Sequence, residues 1–116
     1  MIDDDNAVAA LAALAHSDRL RAFRLLIAAG PSGLASGEIA ERLAIAPTRM
    51  SFHLAVLERS GLAHTWRAGR NILYAVRFEE MRALLAFLTE DCCGGRPEIC
   101  GGLGVFPKPA TQKEEA

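Results

Sequence analysis

Three cysteines are the residues of this chain best suited to chemistry: Cys92, Cys93 and Cys100 are its only thiols, and they fall within nine residues of one another. In a reducing compartment such a group serves as a metal or redox site more often than as a disulfide staple. No histidine or fourth cysteine stands beside them at ligand spacing, so three thiols alone do not complete the four-coordinate Cys/His shell of structural zinc. Three thiolates suit a soft, three-coordinate ion such as arsenite or antimonite, which forms a pyramid of three bonds and leaves the fourth direction to a lone pair. Gly94-Gly95 and Pro97 supply a turn that lets Cys100 fold back over the vicinal pair. Two bland alternatives stand beside this reading: a reversible disulfide from Cys92 or Cys93 to Cys100, acting as a redox switch, and thiols with no ligand at all. A cysteine-dependent reductase fits poorly. The chain has no Cys-x-x-Cys in a βαβ pattern, no phosphate-cradling loop and no general base near the thiols.

A second chemistry is distributed along the chain. The net charge is only −1, yet the stretch from Arg42 to Arg77 holds six arginines against the single acid Glu58, a local excess of +5. Acid gathers elsewhere, in Asp3 to Asp5, Glu79-Glu80, Glu90-Asp91 and Glu114-Glu115. A basic centre flanked by acidic ends can be a solvated face or a surface that meets phosphates, and the elements beneath it decide.

Those elements read mainly helical with one hairpin. A first helix, about Asn6 to Ala15, is capped by Asp5-Asn6 and carries Val8, Leu11, Leu14 and Ala15 at helical spacing. Ser17 or Asp18 starts a second, with Leu20, Phe23, Leu26 and Ile27 as its core stripe, and Gly30-Pro31 stops it. A short helix from Gly37 to Leu43 is joined by Ala44-Ile45-Ala46 to another that opens at Pro47 and ends before Gly61. Met50, Leu54 and Leu57 give that helix its buried face, and Thr48, Arg49, Ser51, Phe52 and His53 are assigned to the opposite one. Leu62 to Arg67 and Asn71 to Arg77 form a hairpin whose tip is Arg67-Ala68-Gly69-Arg70, and a last helix runs from Phe78 to Asp91. His16 and His64 read as structural.

Two short helices joined by a tight turn, the second opening with small polar and basic side chains, are what a major groove admits. Thr48, Arg49, Ser51 and His53 offer donors and acceptors to base edges and phosphates, Phe52 offers a face to a thymine methyl, and Arg67 and Arg70 reach the neighbouring backbone or minor groove.

The run Ala46-Pro47-Thr48-Arg49-Met50-Ser51-Phe52-His53-Leu54-Ala55-Val56-Leu57, then Gly61-Leu62 and Arg67-Ala68-Gly69-Arg70-Asn71-Ile72-Leu73-Tyr74, resembles the ArsR/SmtB family of metal-responsive repressors. Leu14-Ala15-His16-Ser17-Asp18-Arg19-Leu20-Arg21 is similar to the family's opening segment, and the likeness spans about residues 7 to 90. The resemblance implies a homodimeric winged helix-turn-helix that sits on a pseudo-palindromic operator, represses transcription and lets go when inducer binds. It implies Thr48, Arg49, Ser51 and His53 as groove-facing residues. The chain departs from the family's familiar sites: residues 37–43 hold no cysteine, and Met81 to Leu88 holds neither histidine nor acid. It is similar instead to the arsenic-responsive subset with cysteines at the end of the last helix.

The organisation expected is therefore a DNA-binding and dimerisation domain over residues 1–93 and a Gly/Pro-rich segment over residues 94–116 that carries the last inducer ligand. No apolar stretch is long enough to cross a bilayer, the longest being Ala7 to Ala15, and the acidic start lacks the features of a signal peptide, so a cytoplasmic protein is expected.

Overall fold

A computed structural model describes residues 3–89. The element order is α1 (Asp4–Leu14), α2 (Ser17–Ala29), a 3-10 turn (Gly30–Ser32), β1 (Leu34–Ala35), α3 (Ser36–Leu43), α4 (Pro47–Arg59), β2 (Ala63–Ala68), β3 (Asn71–Val76) and α5 (Phe78–Thr89). The mainly helical fold with a β-hairpin wing is the one expected.

The helix boundaries follow from caps that differ slightly from the expected ones. Asp3, not Asp5-Asn6, caps α1, its carboxylate accepting from the Asn6 N–H at 2.8 Å. His16 caps α2, its Nδ1 accepting from the Asp18 N–H at 3.1 Å. Imidazole is an uncommon cap, but it satisfies one of the orphan donors at a helix start in the same way as a serine oxygen.

The core is built by α1, α2, α3 and α4, closed by β2, β3 and α5. Leu26, Ile39, Met50, Leu54, Leu57 and Leu62 are its largest fully buried side chains. Two helices bury different stripes from those read in the sequence. In α1 the alanines Ala7, Ala10 and Ala13 face inward, while Val8 and Leu11 are 65% and 41% exposed. In α2 the buried set is Ala22, Phe23 and Leu26, with Leu20 and Ile27 exposed. Small side chains at i, i+3 and i+6 let α1 lie close on its neighbours, and the larger apolar residues are left on the outside.

The sheet has strand order β1-β3-β2, all antiparallel. The β2–β3 hairpin runs in register from Ala63↔Val76 to Ala68↔Asn71 and turns through Gly69 and Arg70, with Gly69 at φ 65°. Positive φ at that turn is what glycine supplies without strain. The sequence reading lacked β1, whose Leu34 and Ala35 pair with Tyr74 and Leu73. This two-residue strand joins the wing directly to the start of α3.

Candidate nucleic-acid interface

The turn between α3 and α4 fixes how α4 is presented. Ala44 sits in the left-handed region (φ 57°, ψ 44°), and its N–H donates to the Ala40 and Glu41 carbonyls. The Ile45 N–H donates to the Ala40 carbonyl at 3.0 Å, and the Ile45 side chain is buried. Left-handed alanine costs roughly 1 to 2 kcal/mol. The cost is offset by the capping bonds and by the burial of Ile45, and it holds the connection to three residues. Pro47 then opens α4 at the position where a missing N–H leaves nothing unpaired.

Thr48, Arg49, Ser51 and Phe52 are exposed on α4, as expected. Phe52 is 59% exposed. Arg67 and Arg70 are exposed on the wing. Among the described residues, Thr48, Ser51, Arg67 and Arg70 form no side-chain hydrogen bond or ion pair with the protein, which leaves their polar groups to an outside partner.

His53 corrects the sequence reading. It is 5% exposed and belongs to the buried face of α4 with Met50, Leu54 and Leu57. Positions 50, 53, 54 and 57 form an i, i+3, i+4, i+7 stripe, so the same spacing that identified its neighbours places His53 with them. Its Nδ1 lies 3.2 Å from Arg19 Nη1, its Nε2 lies 3.7 Å from Asp18 Oδ2, and its ring centroid is 4.4 Å from that of His16. Phe52 meets it edge-on at 5.7 Å.

These contacts tie α4 to the start of α2. Arg19 Nε donates to the Ala13 carbonyl at 2.6 Å, which adds the end of α1 to the network. Arg49 Nη2 donates to Asp18 Oδ2 at 2.8 Å, so a groove-facing candidate is also an anchor of its own helix. Sequence reasoning had not placed Asp18 and Arg19 in the site. Their signal was the short His16-Ser17-Asp18-Arg19 run at a helix start, which reads as a cap until its distant partners are known.

The network sets the charge states. Arg49's hydrogen bond is the main cause that holds the Asp18 carboxyl below its ordinary value, against an opposing effect of burial. Burial is the main cause that pushes the His53 imidazole below its ordinary value, with His16 and Arg19 adding to it. Both groups bind protons more weakly in the folded chain than in the unfolded one. Stability is therefore expected to fall as pH drops below about 6.5, where unfolded His53 takes up a proton, and again as pH falls below about 3.8 through the lowered Asp18 value. Urea midpoints measured between pH 8 and 3 check this. His53→Gln should flatten the upper segment and Asp18→Asn the lower one; an unchanged profile in both variants would remove the network from the pH response.

Cys92, Cys93 and Cys100 lie outside the described residues, as does the segment 94–116.

A helix-turn-helix domain family matches residues 14–65, the span from the end of α1 into β2. The chain is 31% identical over 87 residues to the transcriptional activator HlyU of Vibrio cholerae, covering 75% of this chain and 78% of that protein. It is 30% identical over 89 residues to the HTH-type transcriptional regulator YgaV of Escherichia coli, covering 77% and 88%. The chain belongs to the ArsR-like, HlyU-type family of winged helix-turn-helix transcriptional regulators. Reduced HlyU from Vibrio cholerae superposes with a TM-score of 0.60 at 30% identity, covering 77% of this chain and 90% of that one. The homodimeric winged helix-turn-helix DNA-binding domain (fragment 1–100) of a possible ArsR-family regulator from Mycobacterium bovis gives 0.61 at 28% identity, covering 75% and 81%. Members of the ArsR-like, HlyU-type family regulate transcription and are not enzymes, which agrees with the poor fit of a reductase to this sequence. No described helix is long and apolar enough to cross a membrane.

Proposed function

We propose that this regulator is a cytoplasmic, arsenite- or antimonite-responsive repressor. It binds a pseudo-palindromic operator as a homodimer and dissociates when trivalent arsenic is captured by Cys92, Cys93 and Cys100. The observation that carries the reading is the joining, in one family member, of an exposed polar α4 face and basic wing with the chain's only three thiols in one short segment. Dimerisation is supported by the apolar surface left outside on two touching helices, Val8 and Leu11 of α1 and Leu85 and Leu88 of α5, and by the homodimeric relative from Mycobacterium bovis. The thiols follow α5 in the chain, so an ion bound there acts next to the helices assigned to the dimer interface. Capture resets the separation of the two α4 helices, which must sit about 34 Å apart to enter consecutive major grooves.

The coupling is reciprocal: the ion weakens DNA binding, and DNA weakens ion binding by the same factor, typically about 5- to 150-fold. Fluorescence anisotropy on the operator upstream of the chain's own gene tests the proposal, with arsenite, antimonite, zinc, cadmium and peroxide added in turn under controlled redox conditions. Arsenite or antimonite is expected to release DNA at one equivalent per protomer. A serine at any one of the three cysteines should keep DNA bound in arsenite, and a serine variant that still lets go would refute the ligand assignment. On the same operator, Arg70→Ala should weaken binding alike for all sequences and lower the salt slope by about one, as loss of one phosphate contact requires.

A redox-sensing repressor is the second reading, favoured by the fact that the HlyU relative is described in a reduced form. Under it, peroxide alone releases the operator and thiol alkylation prevents that release.

A further inference from the structure

We propose that His16, Asp18 and His53 form a thiol-free site for a first-row divalent cation, at the junction of α2 with the recognition helix α4. The three residues offer one ligand atom each, and these atoms lie within 4.8 Å of one another. Bond lengths near 2.1 Å require ligand atoms about 3 Å apart, so closure onto an ion asks each side chain to move by less than about 1 Å. Two imidazoles and one carboxylate are borderline donors that suit zinc, cobalt, nickel or ferrous iron and not trivalent arsenic, and they leave positions for water.

A second observation points the same way. The His53 side chain is 7% exposed, and its Nε2 faces Asp18 Oδ2 across 3.7 Å, too long for a hydrogen bond. A buried ring nitrogen is thus aimed at the carboxylate without a hydrogen-bonding partner there. Burial also favours the neutral ring, which is the form that ligates. His16 is exposed and gives the ion a path inward.

The site competes with bonds the protein already makes. Nδ1 of His16 accepts from the Asp18 N–H, and Nδ1 of His53 faces Arg19, so in the neutral rings the proton sits on Nε2. Ligation of His53 through Nε2 moves its ring proton to Nδ1 and turns Arg19 away, and ligation of His16 through either nitrogen takes up the Nδ1 lone pair that caps α2, with no net proton loss from either ring. The ion also takes the carboxylate oxygen that Arg49 holds at 2.8 Å. Ion and Arg49 are therefore rivals for Asp18, and capture frees a cation at the start of the recognition helix.

The test is a cobalt(II) titration of the full chain with Cys92, Cys93 and Cys100 all changed to serine, or of the wild-type chain alkylated at its thiols, followed by visible absorption. The expected result is a set of d–d bands without a thiolate charge-transfer band, saturating at one cobalt per protomer. His16→Asn keeps a capping side chain but loses the ring, and Asp18→Asn keeps the shape but loses the charge. With folding verified by circular dichroism, each should weaken cobalt binding at least tenfold, and Arg49→Ala should tighten it severalfold. Absence of d–d bands in the thiol-free chain, or bands that both His16→Asn and Asp18→Asn leave unchanged, would overturn the proposal. Neither outcome bears on the cysteine site, which the titration removes.

Discussion

Gly33→Ala is expected to destabilise the domain by about 2 to 6 kcal/mol, from roughly 1 to 3 for a backbone conformation that is essentially glycine-only (φ 70°, ψ −171°) and a similar amount for overpacking. Gly33 has φ +70°, and an added Cβ would overlap the Tyr74 carbonyl oxygen and come within 3.0 Å of the Tyr74 carbonyl carbon and 3.1 Å of Trp66 Cη2. Two of these atoms are backbone of β3, the central strand, and cannot swing aside. The next residue, Leu34, pairs with Tyr74, so relief by moving the chain breaks the β1–β3 pairing. Gly30 is the control: its φ is +80°, but nothing lies within 4 Å of an added Cβ, so Gly30→Ala carries only the backbone cost. For a domain of this size each kcal/mol lowers the melting temperature by roughly 4 to 8 °C. Thermal unfolding should separate the two variants clearly. Equal losses would mean that the close approach to Tyr74 contributes nothing.

Leu54→Ala is expected to cost about 2 to 5 kcal/mol, the range for emptying a fully enclosed leucine site. Leu54 is 0% exposed and lies on α4 between Met50 and Leu57, which are equally enclosed. These residues seat the recognition helix on the rest of the core, so the loss falls on the element that presents Thr48, Arg49 and Ser51. Phe52→Ala provides the contrast on the same helix. Phe52 is largely exposed, so its loss should leave stability within about 0.5 kcal/mol. Chemical denaturation of the two variants checks this; a Leu54→Ala loss below 1 kcal/mol would show that the helix is held by something other than its buried stripe.

Local signals carried most of the architecture. Pro47, Gly61 and the period of Met50, Leu54 and Leu57 marked α4 because each acts within a few residues, and Gly69 marked the wing turn because positive φ is a local demand. Strand β1 was invisible for the opposite reason: two residues have no period, and their partners Leu73 and Tyr74 lie about forty positions away. The stripes of α1 and α2 were misread because hydrophobicity was weighed above size. Alanine at Ala7, Ala10 and Ala13 buries less area than Val8 or Leu11, but it permits the closer helix approach. His53 was misassigned although its spacing was legible, because a polar residue was expected to face water; Arg19, contributed by a helix distant in sequence, meets its Nδ1 at 3.2 Å and makes its burial tolerable.

The short strand β1 has one more consequence. It leads straight into α3 and pairs with β3, while β3 pairs along its length with β2, so the arginine tip and the recognition helix are rooted in one continuous framework. A wing on a free hairpin could swing to suit each operator. If the tip and α4 are the two probes that the proposed operator binding assigns them to be, this shared framework sets the spacing between them, and DNA whose grooves do not match that spacing must bend or twist to fit. Discrimination between operators then falls partly on base steps that no side chain touches, through the energy needed to deform them.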